Sequence, residues 1–587
     1  MHTHDSPSLF STLRKSIQIA IRSFSPRQFM LFGIFGAGII LSTILMLAKI
    51  NSHFMATIPG YGGTLTEGIV GTPRFVNPLL AVSDADRDLS ALIYSGLMKR
   101  NQSGEMVPDL AENYEVSPDG LTYTFHINPT ATFHDGTPVT ADDVLYTITA
   151  AKDPAIKSPK RVNWEGVTVT KIDNLTVTFE IKKPFAPFLE NMSLGILPAH
   201  IWKNIAPDDI SFSDFNINGT GSGPFRVDSI DRNSSGIPSI YHLAPFKTYV
   251  GGKPYLRHFV LYFYNNEKDL LNALASGEID QVNAIAPEKA LELQNSGYTV
   301  KTSTLPRIFG LFFNQNESKI FTDKKVIQAF NQAINKDAIV QKVLFGYGHT
   351  INSPVPLGML GTMSAVNPIS TVSTYTIDGA KDILAKDGWK PGADGILTKT
   401  DSKKQTIRLS FSIATGDTPE LRQSAELIKE DLAAIGAEVE VKVFEIGTLN
   451  QNVIRPRKYD ALFFGQVVNH ESDLMAFWHS SQRNDPGLNI ALYANSKTDK
   501  LLETALTTLD ESGRNEKFVA FEKEIVDDLP AVFVYSPDFI YVTRPDIDGL
   551  ELGKIAFPSD RLAGAEKWFI EHEHVWRFFL PNTTAQE

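Results

Sequence analysis

The sequence of 587 residues contains no cysteine. It therefore cannot form a disulfide, bind zinc through thiolates, use a thiol nucleophile or carry a lipid on an N-terminal cysteine. It also lacks an excess of positive charge, because 55 Lys and Arg against 67 Asp and Glu give a net charge of −12. Without a positive field to attract phosphate groups, we expect no nucleic-acid partner. No internal repeat is present, which argues against a solenoid or a propeller.

Charge is absent from one 20-residue stretch, residues 29–48, which has the length of a helix that crosses the hydrocarbon core of a bilayer. Four basic residues precede this stretch: Arg14, Lys15, Arg22 and Arg27. Only Lys49 follows it closely, so the positive-inside rule predicts a cytoplasmic tail over residues 1–28 and an extracytoplasmic body. We predict an uncleaved, single-pass anchor in the plasma membrane. A cleaved signal peptide and a buried soluble helix are the alternatives.

Short strands and longer helices are mixed in the body, as is typical of an α/β fold. Alternating polarity predicts three strands, at 121–127, 175–181 and 439–443. Apolar stripes predict three helices, at 323–345, 378–387 and 419–435. The last helix has Pro419 at its first position and ends at Gly436, before a valine-rich strand. A helix that leads into a strand indicates an α/β unit.

Three motifs resemble sites of catalysis or ligand binding, but each lacks a required residue. The run His572-Glu573-His574 has Trp576 where a zinc helix needs its second histidine, so we expect two solvent-exposed histidines. The run Asp84-x-Asp86-x-Asp88 lacks the glycine and the glutamate of a calcium loop and is expected to begin a helix. The glycine-rich residues 219–223 lack a phosphate-binding lysine, so we expect a tight turn. We predict no catalytic residue, no cofactor and no metal site.

Several longer segments occur in a characteristic order. The most specific are LAENY at 110–114, SPDGLTYTF at 117–125 and FHDGTPVTADDV at 133–144, followed by 197–200, 221–225, 275–280 and 309–314. With these segments the chain resembles, over about residues 60–560, the extracytoplasmic solute-binding proteins of ABC importers, family 5, the peptide/nickel-binding group.

The resemblance implies an α/β fold with two lobes that close like a clamp on a ligand, the class with an extra subdomain in lobe one. This periplasmic-binding-protein-like clamp follows the N-terminal transmembrane helix. The expected boundaries are 1–28 for the tail, 29–48 for the anchor, 57–307 for lobe one with its subdomain at about 96–200, 308–536 for lobe two, and 537–587 for the return to lobe one and the C-terminal tail. Crossing strands are expected near 305–312 and 533–541.

The implied function is to capture peptides or similar small solutes and to deliver them to the permease subunits of an ABC importer. The resemblance also implies a monomer without enzymatic activity. A receptor of the same fold that has lost transport is one alternative. An anchored hydrolase whose carboxylates are brought together only in space is the other, because such pairs are invisible in a sequence.

Peptide-binding members of the family carry Trp and then Asp shortly after the strand that corresponds to 459–464, and this Asp pairs with the α-ammonium of the peptide. In this sequence Gln466 and Asn469 occupy those positions, and a neutral Asn cannot form the stronger charge-assisted pair. The absence of this Asp argues against recognition of a free peptide N-terminus, so the candidate ligands are a longer or blocked peptide, a sugar-like molecule or a metal chelate. The predicted ligand-binding residues are Ser222 and Phe225 from lobe one and Gln466, Asn469, His470 and Glu471 from lobe two. A solvent-exposed loop is the alternative for the last three.

Overall fold

A computed structural model of the chain describes residues 14, 16–19, 23, 25–357, 359, 375–400 and 404–579. Two of the basic residues that precede the apolar stretch, Lys15 and Arg22, lie outside these residues, as does the end of the predicted C-terminal tail, 580–587. The chain divides into two compact units, Met1–Gly60 with Glu571–Glu587, and Tyr61–Ile570.

The first unit contains one long helix, Pro26–Phe54. Ser25 caps this helix, because its Oγ accepts a hydrogen bond from the Gln28 amide while the Gln28 side chain accepts one from the Ser25 amide. The segment Pro26–Asn51 is long and apolar enough to cross a membrane, and it includes the stretch predicted from the sequence. The strand Met55–Pro59 follows at once and pairs antiparallel with His572–Trp576. His572 and His574 are exposed on that second strand, as expected.

The second unit is organised around the long strand Ala531–Thr543, called here the shared strand. Its first half pairs with Arg307–Phe313, and its second half pairs with Gln281–Asn283 and Thr299–Thr304. The sheet extends in one direction through Ala461–Val467, Ser410–Gly416 and Glu438–Phe444, and in the other through Gly62–Val70, Leu256–Tyr264, Pro238–Pro245 and Phe225–Arg232. Gly348–Thr350 adds to the first half of the shared strand.

The chain passes between the two halves of this sheet at two adjacent points. One is Leu305 and Pro306, between Thr299–Thr304 and Arg307–Phe313, and the other is the middle of the shared strand. The Ser536 hydroxyl donates to the Leu305 carbonyl at 2.8 Å, which ties the two crossings together. Each half of the sheet packs against its own apolar core, so the second unit has two lobes. Residues on the Gly62–Val70 side of the sheet form the first lobe, and residues on the Ala461–Val467 side form the second lobe.

The first lobe carries an additional four-stranded antiparallel sheet, with the order Ala111–Val116, Thr122–Ile127, Thr176–Glu180, Thr168–Lys171. Two of these strands confirm the strands predicted from alternating polarity, since Tyr123, Phe125 and Val177 point into the core while their neighbours do not. The helix Ala141–Lys152 packs on this sheet. Small antiparallel sheets complete the lobes: the pair Met98–Arg100 with Met106–Pro108, and the three strands Lys390–Pro391, Leu397–Thr400 and Thr406–Arg408.

Two of the predicted helices are confirmed, as Ile377–Lys386 and Pro419–Ala434, and the predicted valine strand is Glu438–Phe444. The prediction of a single helix over 323–345 was wrong, because the segment forms two helices, Lys324–Ala333 and Lys336–Val343. Asn335 causes the break. Its side chain accepts from the Ala338 amide at 3.0 Å and so begins a new helix, while its own amide donates to Asp431 at 2.8 Å.

The acidic run beginning at Asp84 starts the helix Asp84–Ile93, as expected. The Asp86 carboxylate accepts hydrogen bonds from the amides of Arg74 and Phe75, at 2.7 and 2.8 Å. The other α-helices are Ala199–Trp202, Glu267–Ser276, Pro287–Asn295, Ile446–Leu449, Glu471–Trp478, Ser496–Thr507 and Glu511–Asp528. Short 3₁₀ turns include Arg161–Trp164, Ala186–Ser193 and Pro558–Leu562, and Arg577–Phe579 in the first unit.

Candidate functional site

A cavity of about 800 Å³ lies between the two lobes. The first lobe supplies most of its wall, from the helix Asp84–Ile93, the turns Arg161–Trp164 and Ala186–Ser193, and the start of Pro558–Leu562. The second lobe supplies His470, Ser472 and Asp473, at the N-terminal end of the helix Glu471–Trp478. A molecule enclosed here would therefore contact both lobes.

The two walls meet at an ion pair between His470 of the second lobe and Glu190 of the first. Arg100 supports Glu190 from the first lobe, with its Nη2 3.5 Å from the carboxylate. The His470 amide donates to the Asp473 carboxylate at 3.0 Å, which fixes the residue at the start of its helix. The contact requires both lobes, so it exists only while they are close together.

Partial burial would by itself disfavour charge on either member of this pair. For His470 the hydrogen bond and the negative charge of Glu190 outweigh burial, and its pKa is raised above the ordinary value of 6.5. For Glu190 burial also opposes the charged form, but the hydrogen bond and charge of His470, with Arg100, hold the pKa of this carboxyl below its ordinary value. The geometry thus favours an imidazolium and a carboxylate.

The lining as a whole contains more basic than acidic side chains. Arg87, Lys160, Lys182 and Lys183 face the cavity, whereas Glu165, Glu190 and Asp473 are the acidic lining residues. Glu165 lies 3.7 Å from Arg161, and Glu190 pairs with His470, so two of the three acids already have cationic partners. The surplus of cations favours an anionic group on the molecule that occupies the cavity.

Lys160 is more buried than the other two lining lysines, Lys182 and Lys183, which are exposed. It is half-buried, and within the described part of the chain its Nζ has no hydrogen-bond acceptor or counter-ion. Burial lowers the pKa of Lys160, and the charge of Arg87 lowers it further. Arg87 itself lies 3.3 Å from Asp84 and over the ring of Phe557. A carboxylate beside Lys160 would therefore relieve an uncompensated charge.

Aromatic rings contribute to the apolar part of the lining, together with aliphatic side chains such as Val162 and Leu194. Trp164, Phe185, Phe188 and Tyr94 contribute, and Phe185 packs against the apolar cores of both lobes. The Tyr94 hydroxyl is buried without a hydrogen-bond partner among the described residues, and burial raises its pKa. The cavity thus combines apolar walls with a few polar groups, as is typical of small-molecule sites.

Of the six residues predicted to bind ligand, His470 lines this cavity. Phe225 is fully buried in the core of the first lobe, with its ring centre 5.7 Å from that of Phe259. Glu471 is half-buried and lies 2.8 Å from Arg514 within the second lobe. Neither Phe225 nor Glu471 belongs to the cavity lining.

The other three predicted residues carry polar atoms without partners among the described residues. Ser222 and Gln466 are 2 % exposed, and neither the Ser222 hydroxyl nor either amide atom of Gln466 is hydrogen-bonded. The Asn469 side-chain oxygen also lacks a partner. Buried polar atoms normally find partners, so these groups are available to a ligand or to water. They lie outside the lining of the 800 Å³ cavity, and their role in binding stays a prediction.

The glycine-rich residues 219–223 form a tight turn against the end of the helix Asp84–Ile93. A Cβ on Gly221 would lie 2.0 Å from the Ile93 carbonyl oxygen, and one on Gly223 would lie 2.7 Å from the Leu92 carbonyl oxygen. Only glycine permits such a close approach of two backbones. The turn therefore fixes the helix that carries Arg87 and Ser90 into the cavity wall.

Sequence reasoning missed Glu190, Arg87 and Lys160. They lie far from His470 along the chain, and none belongs to a local motif. The adjacent residues Lys182 and Lys183 follow the strand Thr176–Glu180 and belong to the cationic lining. In the sequence alone, however, two lysines after a strand are equally typical of a solvent-exposed turn.

Comparisons with known proteins cover most of the chain. The family model described as "Bacterial extracellular solute-binding proteins, family 5 Middle" matches residues 105–486. The oligopeptide-binding protein AppA of Bacillus subtilis is 29% identical over 520 residues, which cover 87% of this chain and 92% of that protein.

Solved structures match both lobes. The structure of AppA from Bacillus subtilis in complex with a nonapeptide shares 27% sequence identity and a TM-score of 0.63, and the match covers 88% of this chain and 100% of that one. The ABC transporter substrate-binding protein CtaP of Listeria monocytogenes has a TM-score of 0.73 at 23% identity, with coverage of 87% and 100%. The predicted fold, an α/β clamp with two lobes of the periplasmic-binding-protein type, is confirmed.

Proposed function

The chain belongs to family 5 of the bacterial extracellular solute-binding proteins, and on this basis we propose that it captures peptides or similar small solutes and delivers them to the permease of an ABC importer. The observation that supports this proposal most directly is the cavity of about 800 Å³ lined from both lobes. A ligand that contacts both walls binds the closed form more tightly than the open form and shifts the population toward closure. Closure can then report occupancy to the permease.

We propose a peptide as the ligand, since AppA of Bacillus subtilis is an oligopeptide-binding protein and was solved with a nonapeptide. The cationic wall supports this choice, because Lys160 offers an uncompensated charge to a C-terminal or side-chain carboxylate. The neutral Asn469 supports recognition that does not depend on a charge-assisted bond to the α-ammonium. A longer or blocked peptide is compatible with both features.

We propose the lobe boundaries 57–307, 308–536 and 537–587, with the subdomain at about 96–200. The two crossings at Leu305-Pro306 and at Ser536 support the lobe boundaries. The four-stranded antiparallel sheet between Ala111 and Glu180 supports the subdomain.

We propose that the helix Pro26–Phe54 stays attached and retains the protein at the membrane as a monomer, with residues 1–28 on the cytoplasmic side. The length and apolarity of Pro26–Asn51 support a membrane span, and Arg14 and Arg27 support its orientation. The strand Met55–Pro59 begins at the residue after the helix. Cleavage near Ala56 would cut into this paired strand, so the pairing supports an intact chain.

The proposal can be tested by native mass spectrometry of the full chain in detergent, before and after mild denaturation. We expect a heterogeneous set of peptide masses that the native protein retains and the denatured protein releases. The refolded, emptied protein should regain thermal stability when a mixed peptide pool is added. A single non-peptide mass, or an empty protein that no peptide pool stabilises, would contradict the peptide assignment.

A further inference from the structure

Four aromatic side chains of the first unit are exposed around one point. Phe54 ends the long helix, and Trp576 ends the strand paired with Met55–Pro59, with the two rings stacked 6.4 Å apart. Phe578 and Phe579 follow in the turn Arg577–Phe579. Their exposed fractions are 51% for Phe54, 44% for Trp576, 89% for Phe578 and 73% for Phe579. Large apolar groups exposed together usually mark an interaction surface.

The strand register fixes where this surface lies. Met55 is the first residue after the helix, and it pairs with Trp576, while Pro59 at the far end pairs with His572. The strands are antiparallel, so His572–Trp576 runs back toward the end of the helix. The turn Arg577–Phe579 therefore leaves the strand pair at the end where the helix begins its crossing.

The composition of this surface matches a membrane–water boundary. Tryptophan and other aromatic rings are enriched where headgroups meet acyl chains, because an amphipathic ring has one face for each. Arg577, directly after Trp576, adds a positive charge that suits lipid phosphates. In water, four exposed aromatic rings are unfavourable, because their apolar surface stays hydrated. Insertion into the bilayer boundary would remove that surface from water.

We propose that residues 576–579 form a second membrane contact, in which Trp576, Phe578 and Phe579 insert at the headgroup–acyl boundary of the leaflet where the helix Pro26–Phe54 ends. This inference rests on the anchor proposed above and is independent of the ligand. The contact brings two distant parts of the chain, the helix end at Phe54 and residues 576–579, to one point on the bilayer surface.

Tryptophan fluorescence gives a direct test. The chain has six tryptophans, and the five others, Trp164, Trp202, Trp389, Trp478 and Trp568, are at most 4% exposed. The full chain is reconstituted in phosphatidylcholine vesicles whose acyl chains are brominated near the headgroup, and its emission is compared with that in unbrominated vesicles. We expect a loss of emission that Trp576→Phe abolishes.

Two further variants, made on the Trp576→Phe background, keep the test independent of any fold defect. Phe578→Trp should restore the quenching. His572→Trp is the matched control, because His572 lies at the other end of the same strand, about 13 Å from the helix end, and should not be quenched. Equal quenching of Phe578→Trp and His572→Trp, or none in either, would overturn the inference.

The same vesicles allow the second membrane contact, the anchor and solute capture to be tested separately. Alkaline carbonate leaves an integral anchor in the membrane, so a chain that is retained but not quenched overturns only the second contact. A chain that carbonate extracts overturns the anchor and the second contact together. Peptide binding measured on the vesicles reports on solute capture, whichever result the membrane tests give.

Discussion

His470 and Glu190 form an ion pair across the cavity, one residue from each lobe. The helix Glu471–Trp478 presents the imidazole, and the turn Ala186–Ser193 presents the carboxylate. The charged groups near the pair are Arg100, Asp473, Glu471 and Asp560. Because the contact exists only when the lobes are close, it stabilises the closed form without a ligand.

The pair should make closure depend on pH. The raised pKa of His470 means that its contribution is complete below the ordinary value of 6.5 and is lost as pH rises through the raised value. The lowered pKa of Glu190 means that its contribution is complete above 4.5 and is lost as pH falls through the lowered value. The ligand-free protein should therefore be most closed between pH 4.5 and 6.5 and should open toward alkaline pH.

Closure can be measured as the distance between two spin labels. The chain has no cysteine, so cysteines introduced at exposed Glu112 and Lys500 would be unique label sites. His470→Ala should remove the pH dependence. His479→Ala is the matched control, because His479 ends the same helix and contacts Asp499 and Glu503 within the second lobe. A pH profile that His470→Ala leaves unchanged would show that the pair does not control closure.

Lys160→Met should weaken binding of a carboxylate-bearing ligand by roughly 10- to 100-fold, since a hydrogen bond to a charged group contributes about 1.5–3 kcal/mol. Lys203→Met, at an exposed position outside the cavity lining, should leave the affinity unchanged. Titration calorimetry with a peptide and with its C-terminal amide measures both effects. If Lys160→Met weakens the peptide and the amide equally, the lysine does not contact the carboxylate of the C-terminus.

Arg561→Met should destabilise the first lobe by about 3–5 kcal/mol, because it leaves two buried carboxylates without a counter-charge. Arg561 is 1% exposed and bonds Asp88 at 2.7 and 2.8 Å and Glu67 at 2.5 and 2.8 Å. Burial raises the pKa of Asp88 to about 6, although Arg561 opposes that shift. Urea unfolding followed by tryptophan fluorescence measures the loss. Arg161→Met, which removes a more exposed pair with Glu165, should change stability by less than about 1 kcal/mol.

The N-terminal helix should remain on the mature protein. Intact-mass measurement of the chain purified from bacterial membranes is expected to include residues 29–48, because a cut near Ala56 would sever the strand Met55–Pro59 from its helix. A variant with a cleavable signal peptide in place of this helix serves as the control and should yield a shortened chain. A natural chain that begins near Ala56 would contradict the anchor.

Local pattern was enough for five of the six elements predicted from it. The strands Thr122–Ile127 and Thr176–Glu180 and the helix Pro419–Ala434 followed from periodicity, since each buries one face. The prediction of a single helix over 323–345 was wrong. The apolar stripe continues across Asn335, but the helical backbone is interrupted there. The break is stabilised by Asp431, whose carboxylate accepts a hydrogen bond from the Asn335 amide. This contact is visible only in the tertiary structure.

The structure places one of the six predicted ligand-binding residues in the cavity lining, and its role there stays a prediction. His470 lines the cavity, but Glu190, Arg87 and Lys160 were not predicted, because charge pairing across lobes leaves no local signal in the sequence. Phe225 was expected at the cleft and instead lies in the core. Its neighbours Gly221 and Gly223 are explained by close backbone contact with the helix end rather than by a ligand.

The sequence by itself determined the membrane-length helix, the absence of thiol chemistry and the alternation of strands and helices, because each depends on composition or on neighbours along the chain. Tertiary structure alone decided which side chains distant in the sequence contact each other. Glu190 faces His470, Arg561 joins Glu67 to Asp88, and Trp576 lies on Phe54, although each pair is separated by hundreds of residues. Such contacts depend on how whole elements pack, and packing is a property of the assembled fold.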